Sequence, residues 1–344
     1  MPRFSVGCFL IGVTGKFTKN AEALLGSVSD DPYDVRTFVK IVRAKDGLSH
    51  IGSELTSTSE HTLEERGYFA RLGETTRGIN EVGLAFTSAM VFEDKNISKA
   101  KGTAYFGDVT EFVMKNCKSV EDAIDVFSEK KTIFPAYSVL LADSYGSLAH
   151  IEVGSYGIAI NRHYFKGEPG VVLAVNCYQS PDLIKYNAID ALMTNKNCNN
   201  ASRFERGKAL TEKFKGKFCV DTLQQVLSDH KNEEQNPVDN PLLEGWGYSI
   251  CNHGTLKKDS YKQENLPWGT VSAEIMQPSK KLFWYAYGWP CGKQPEYKDQ
   301  IFQEKSWGKF IPFTFLKNHQ NEEKTALTKP SGEITNMGLK MIYE

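Results

Sequence analysis

Gly7-Cys8-Phe9-Leu10-Ile11-Gly12-Val13 and, after a turn, Leu25-Gly26-Ser27-Val28-Ser29-Asp30-Asp31 are the stretches on which the reading of this chain depends. Gly15-Lys16 and Lys19-Asn20 supply the turn, so the two apolar runs form a hairpin that begins at Cys8. A cysteine at the head of such a strand has two readings. In one it is a small buried hydrophobe, as free cysteines commonly are. In the other, cutting the Gly7–Cys8 bond gives Cys8 a thiol nucleophile and its own base, the freed α-amino group. That amine has an ordinary pKa of roughly 7.7–8, so a useful fraction is neutral near pH 7 and can take the thiol proton. Gly7 suits this second reading, because a residue without Cβ lets the scissile backbone strain and lets Cys8 approach the preceding carbonyl.

Composition narrows the classes. With 344 residues the chain can form one large domain or two, and 40% hydrophobic with 12% aromatic residues describes a folded globular protein. A net charge of -1 offers no general attraction to nucleic acid or to an anionic membrane, so neither is expected as a partner. No run of about 18 apolar residues occurs, so no membrane span is expected. The residues ahead of Cys8 are too few for a secretory signal, which makes the cytoplasm the expected compartment. Cysteines 8, 117, 177, 198, 219, 251 and 291 are scattered without a Cys-x-x-Cys pair, and the seven histidines stand apart. No disulfide framework, metal or other cofactor is therefore expected. Cys177, Cys198 and Cys291 have no base nearby in sequence and read as inert.

The first hundred residues read as strands and turns. Thr37 to Arg43 and Leu48 to Gly52 flank an Asp46-Gly47 turn, and Leu84 to Ser88 follows Asn80 to Gly83. Helices come next, the first with a capping-box pattern of Asp108 and Glu111, the second following Ser119. A meander follows, of strands Tyr137–Ala142, Leu148–Val153, Gly157–Asn161 and Val171–Asn176. Ser202 to Phe214 and Asp221 to Leu227 read as helices, the second capped by Asp221 with Gln224. Strands at Gly247–Cys251, Thr270–Met276 and Leu282–Tyr287 close the pattern, with loops at Lys257–Trp268 and Lys293–Glu304. Hairpin-linked strands interrupted by pairs of helices predict an α+β fold of antiparallel sheets covered by helices, not a doubly wound parallel sheet.

Certain polar positions can converge with Cys8. Asp30 ends the second strand of the first hairpin, where its carboxylate either holds the new amine or belongs to an Asp30-Asp31-Pro32 turn. Asn176 follows the apolar run Val171–Val175, and its amide either stabilises an oxyanion or caps the next turn. Arg203 shares a helix face with Gly207, Leu210 and Phe214, so it either snorkels outward or meets a buried anion. In the second case its guanidinium is expected near Cys8 and paired, with Asp30 the first candidate. Trp284, Tyr285, Tyr287 and Trp289 are candidates for an apolar acyl pocket, with core packing the alternative.

Taken in order, Gly7-Cys8, Leu25 to Asp30, Arg77 to Leu84, Val175 to Leu183, Asn200 to Arg206, Ser249 to His253, Thr270 to Met276 and Ala286 to Cys291 resemble the N-terminal-nucleophile hydrolases of the isopenicillin N acyltransferase and choloylglycine hydrolase group. The acyltransferase branch is the more similar. This resemblance implies a four-layer αββα fold, a short propeptide of residues 1–7, and a single domain over 8–344 with a tail after His319. It further implies Cys8 as nucleophile, Asp30 binding its amine, Asn176 as an oxyanion-hole donor, a backbone N–H near Ala89 or Met90 as the second donor, and Arg203 as support. One departure stands out. The family usually has a polar Arg or Asn soon after Gly26, whereas here Ser27-Val28-Ser29 intervenes, so the group that activates the thiol comes from elsewhere, with Arg36 the candidate.

The function so implied is an autoprocessed cysteine amidohydrolase that cleaves a linear, non-peptide or small peptide-like amide through an acyl-enzyme on Cys8. Its partner is a small-molecule amide carrying an acyl group. Two alternatives remain open: an acyltransferase passing the acyl group to or from an amine or a thiol such as coenzyme A, and a non-catalytic binding protein of the same fold. Self-association into a homo-oligomer is also left open.

Overall fold

The computed structural model describes residues 8–32, 35–57, 74–94, 103–165, 167–188, 199–230, 249–253, 255–258, 265–292, 306–316 and 324–343. Met1 to Gly7, with the expected cleavage point, and the expected loop at Lys293–Glu304 lie outside the described residues.

Strands β1 (Phe9–Thr14), β2 (Leu24–Pro32), β3 (Val35–Val42), β4 (His50–Ser57), β5 (Thr75–Asn80) and β6 (Ala85–Met90) come first. After β7 (Ala104–Tyr105) come helices α1 (Phe106–Asn116) and α2 (Val120–Ser128). Then β8 (Ile133–Phe134), β9 (Tyr137–Ala142), β10 (Leu148–Gly154), β11 (Gly157–Tyr164) and β12 (Gly170–Val175) lead to α3 (Asn199–Lys213) and α4 (Val220–Leu227). The remaining elements are β13 (Thr255–Lys258), β14 (Asn265–Gln277), β15 (Leu282–Tyr287), β16 (Ile311–Phe313), β17 (Lys324–Ala326) and α5 (Asn336–Lys340).

Two antiparallel sheets carry the fold. The first has the order β12-β1-β2-β14-β15-β16, with β13 added beside β14, and the second β11-β10-β9-β6-β5-β4-β3-β17. Three apolar layers separate four structural layers. Phe9, Ile11 and Val13 of β1 face α3 and α4, meeting Leu210, Phe214, Leu223 and Val226, while Leu10 faces the second sheet. Strand β1 is thus buried on both sides, which is why it reads as a continuous apolar run rather than an alternating one. Between the sheets lie Leu25, Val39, Ile51, Ile79, Leu140, Ala174 and Met276. Beyond the second sheet, Phe86, Val139, Leu141 and Ile151 meet Val109, Val113, Ala123 and Phe127 of α1 and α2. The stack is helix, sheet, sheet, helix, as the motif order implied.

Local readings shifted where tertiary pairing overrode them. Gly247–Cys251 is not a strand: Ser249 to Cys251 form bends, and residues 247 and 248 lie outside the described set. Lys257–Trp268 is not a plain loop, because β13 pairs there with Asn265–Trp268 at the start of β14. Asp108 does not cap α1, which starts directly from β7 at Phe106, leaving Asp108 in the first turn where its charge suits the helix dipole. Helix α4 starts after Cys219, whose N–H donates to Thr222 Oγ1 at 2.8 Å, so the expected Asp221–Gln224 box is off by two residues. Ser119 does cap α2, in a reciprocal box with Asp122.

Candidate active site

Register sets the surroundings of Cys8. Phe9 pairs with Val28 of β2 on one side and Val175 of β12 on the other, so one step back Cys8 lies between Ser29 and Asn176. Across the interlayer, β5 of the second sheet sends Arg77 toward it, and Arg77 Nη2 donates to Cys8 Sγ at 3.4 Å and to the Ser88 carbonyl at 3.2 Å. The backbone N–H of Asp30 also donates to the Cys8 sulfur. Burial pushes the Cys8 thiol pKa up, the Arg77 charge pulls it back down, and the Asp31 charge adds to the rise.

Arg77 is itself held. Its Nε stands 3.6 Å from Glu274 Oε2, and both side chains are buried, with Glu274 wholly inaccessible. Glu274 accepts from Ser27 Oγ at 3.1 Å and from Ser272 Oγ at 2.7 Å. Burial works against the Arg77 charge, but Glu274, Cys8 and Asp31 outweigh it and raise the guanidinium pKa. Ser27, the position where the family pattern breaks, therefore positions the carboxylate that orients the guanidinium facing Cys8.

A second buried ion pair lies beside the first. Arg203 Nη2 contacts Asp30 Oδ2 directly, and Arg203 Nε donates to the Ser249 carbonyl at 2.9 Å. Asn252 Nδ2 donates to the same Asp30 oxygen at 3.1 Å, and Thr270 Oγ1 donates to Oδ1 at 2.7 Å. Burial pushes the Asp30 pKa up, while the Arg203 charge and these hydrogen bonds pull it down. Arg203 reaches this depth because Gly207, one turn along α3, lets the helix touch Phe9: a Cβ there would sit 2.7 Å from the Phe9 ring. Of the two readings of Arg203, the buried ion pair is the one observed. A carboxylate has about four acceptor positions. Among the described residues, these three contacts leave room on Oδ1 for one more donor.

Asn176 Nδ2 donates to the Met90 carbonyl at 2.7 Å, so the structure brings Asn176 and Met90 together, with Ala89 buried next along β6. Asn176 Oδ1 is buried without a partner among the described residues. Tyr137, paired with Met90 across β6 and β9, stacks on Phe106 at a centroid distance of 4.0 Å. Its pKa is raised by burial, with the Cys8 sulfur among its charged neighbours.

Two expectations are corrected. Arg36 does not serve Cys8: it donates to the Val35 carbonyl at 3.3 Å and hydrogen-bonds the Tyr287 hydroxyl. The four aromatics of the β15 region do not line one pocket, because alternate strand residues point to opposite faces. Trp284 packs in the helix-facing core, Tyr285 and Tyr287 lie between the sheets, and Trp289 sits in a separate cluster. Arg77, Glu274 and Thr270 were not singled out from the sequence as site residues. One signal was present: Arg77 sits inside Thr75–Asn80, a strand otherwise without charge, and a buried strand carries an arginine only when it has a partner. Cys291, read as inert, meets His253 at 3.1 Å.

The helix-sheet-sheet-helix order of two antiparallel sheets is that of the N-terminal-nucleophile hydrolase fold. A solved structure of a mutant conjugated bile acid hydrolase from Clostridium perfringens aligns over 95% of this chain and 99% of its own, at 13% identity and a TM-score of 0.52. Penicillin V acylase from Agrobacterium tumefaciens aligns over 89% and 91%, at 15% identity and a TM-score of 0.46. A Caenorhabditis elegans ortholog of N-acylethanolamine-hydrolyzing acid amidase aligns over 87% and 99%, at 12% identity and a TM-score of 0.41. A search of curated protein sequences returned no match. Residues 33–261 match the model of the acyl-coenzyme A:6-aminopenicillanic acid acyl-transferase family, and the chain belongs to that family. It is thus an enzyme of the N-terminal-nucleophile amidohydrolase and acyltransferase class. The matched span begins after Cys8 and Asp30 and includes Arg77, Asn176 and Arg203. No helix among the described residues is long and apolar enough to cross a membrane.

Proposed function

We propose that this enzyme frees Cys8 by autoproteolysis and uses it to cleave a linear amide through an acyl-thioester. The observation that carries the reading is the environment of the Cys8 sulfur, which receives hydrogen bonds from the Arg77 guanidinium and the Asp30 N–H at the head of β1. Both donors favour a thiolate. In processing, the thiol attacks the Gly7 carbonyl, the acyl group moves from nitrogen to sulfur, and water hydrolyses the thioester to release residues 1–7. The new α-amine has an acceptor in the unused position on Asp30 Oδ1. In turnover, that amine takes the thiol proton and the thiolate attacks the substrate carbonyl. Asn176 Nδ2, with one hydrogen committed to Met90, offers its second to the oxyanion. A backbone N–H near Ala89 or Met90 is the second donor. The α-ammonium then protonates the leaving amine, and water resolves the acyl-enzyme.

Family membership supports a second reading, in which an amine or thiol rather than water takes the acyl group. Arg77 and Glu274 count against a non-catalytic binding protein, since burying two charges beside a cysteine is costly unless they serve it.

Intact mass tests the proposal. Purified protein is expected to lack residues 1–7, and Cys8→Ala to retain them. Full-length wild-type protein with full activity overturns the N-terminal-amine mechanism. Adding an acyl thioester with and without an amine acceptor then separates the two readings, because transfer outpacing hydrolysis assigns the acyltransferase.

A further inference from the structure

Three segments far apart in sequence bring soft donors to one point behind the Asp30–Arg203 pair. His230 follows α4, His253 ends the Ser249–His253 segment, and Cys291 lies in the turn after β15. Their ligand atoms all lie within 4.8 Å of one another, and His253 Nε2 is 3.1 Å from Cys291 Sγ. The Cys251 thiol makes a further hydrogen bond to Cys291, and Cys251 packs with Val271 and Trp289 in the cluster that Cys291 borders. The His253 ring stacks on Trp289 at 4.5 Å and approaches the His230 ring at 5.1 Å.

We propose that Cys251, His253, Cys291 and His230 form a structural binding site for one zinc ion. Two thiols and two imidazoles are the donor set that zinc takes in closed tetrahedral sites. Zn–S and Zn–N bonds of about 2.3 and 2.0 Å at tetrahedral angles put nitrogen and sulfur about 3.5 Å apart. For His230, His253 and Cys291 the 3.1 Å contact and the 4.8 Å envelope need only small side-chain adjustments to admit the ion, and Cys251, which hydrogen-bonds Cys291 from outside that group of three, turns its thiol inward as the fourth ligand. Two thiolates neutralise the charge of Zn2+, which suits a site where His253 is buried and its neighbours are partly so. On binding, the two thiol protons leave to solvent and no other bond is made or broken.

The site also has a consequence for the centre described above. The segment it would clamp supplies the Ser249 carbonyl to Arg203 and the Asn252 amide to Asp30, and it is otherwise tied by Cys251 N–H to the Asp229 carbonyl and Asn252 N–H to Thr270 Oγ1. Zinc would fix this segment to α4 and to the β15 turn, holding the Asp30 partners in place.

The test is cobalt and zinc binding to full-length, chelator-treated protein, which does not depend on whether Cys8 is processed. Cobalt is expected to bind at about one equivalent with a thiolate-to-metal charge-transfer band, zinc to displace it, and zinc to raise the melting temperature. Cys291→Ser is expected to weaken the band by removing one of its two thiolates, and both Cys291→Ser and His230→Gln to weaken zinc affinity at least about 10-fold; the half-buried His230 variant covers the case in which Cys291→Ser fails to fold. No charge-transfer band, or variants that bind zinc as tightly as wild type, overturns the site. Such a result would leave the Cys8 mechanism untouched.

Discussion

Arg77 is the residue whose removal should tell most about how the Cys8 thiol is activated. Two unit charges 3.4 Å apart interact by about 5 kcal/mol at an effective dielectric of ~20. Delocalisation over the guanidinium and the Glu274 counter-charge cut this to about half, or about two pKa units on the thiol. Arg77→Met alone would leave Glu274 buried and unpaired, at a cost of about 3–5 kcal/mol, so the informative protein is Arg77→Met with Glu274→Gln. In that variant, the pH at which Cys8 becomes reactive to iodoacetamide, read by peptide mass mapping, is expected to rise by about two units. The thiolate fraction near neutrality, and with it kcat/KM, is expected to fall about 10²-fold. A folded double variant with an unchanged Cys8 inflection would refute the assignment of Arg77 as the thiolate's counter-charge.

Asn176→Ala is expected to lower kcat by about 10²–10³ with KM much less affected, measured by steady-state kinetics; an effect confined to melting temperature would make Asn176 structural. Arg203→Lys keeps the charge but cannot reproduce the fork that contacts both Asp30 and the Ser249 carbonyl, so a loss of about 10²-fold in kcat is expected in folded protein, and near wild-type turnover would contradict it. Burial, aided by the Lys40 and Lys324 charges, lowers the His50 pKa to about 3, and burial lowers that of His150 to about 4, against an unfolded value near 6.5. Below that unfolded value the unfolded chain binds protons the folded chain refuses, so stability is present above about pH 6.5 and falls toward pH 4, by up to about 1.4 kcal/mol per pH unit for each histidine. Denaturant melts across this range check it, and His50→Gln with His150→Gln should flatten the slope.

Periodicity and turn chemistry are local, and what they encode was readable. The unbroken apolar run Phe9–Val13, the exact bounds of Tyr137–Ala142 and Leu282–Tyr287, and the Ser119 start of α2 follow from side chains acting on their own backbone and on the faces they bury. Cys8 stood out because its position heads a strand, and Arg203 because a charge on an apolar helix stripe needs a partner. Asp30 as that partner was legible only as a candidate. What the sequence could not show is which groups meet when strands distant in the chain become neighbours. Arg77 reaches Cys8 across the gap between two sheets, Glu274 reaches Arg77 through the β2–β14 ladder, and Arg36, closer in sequence, faces Tyr287 instead. His230, His253 and Cys291 looked solitary for the same reason. Side-chain propensity acts over a few residues, whereas burial of charge is settled by sheet order and register, and those are properties of the whole packed chain.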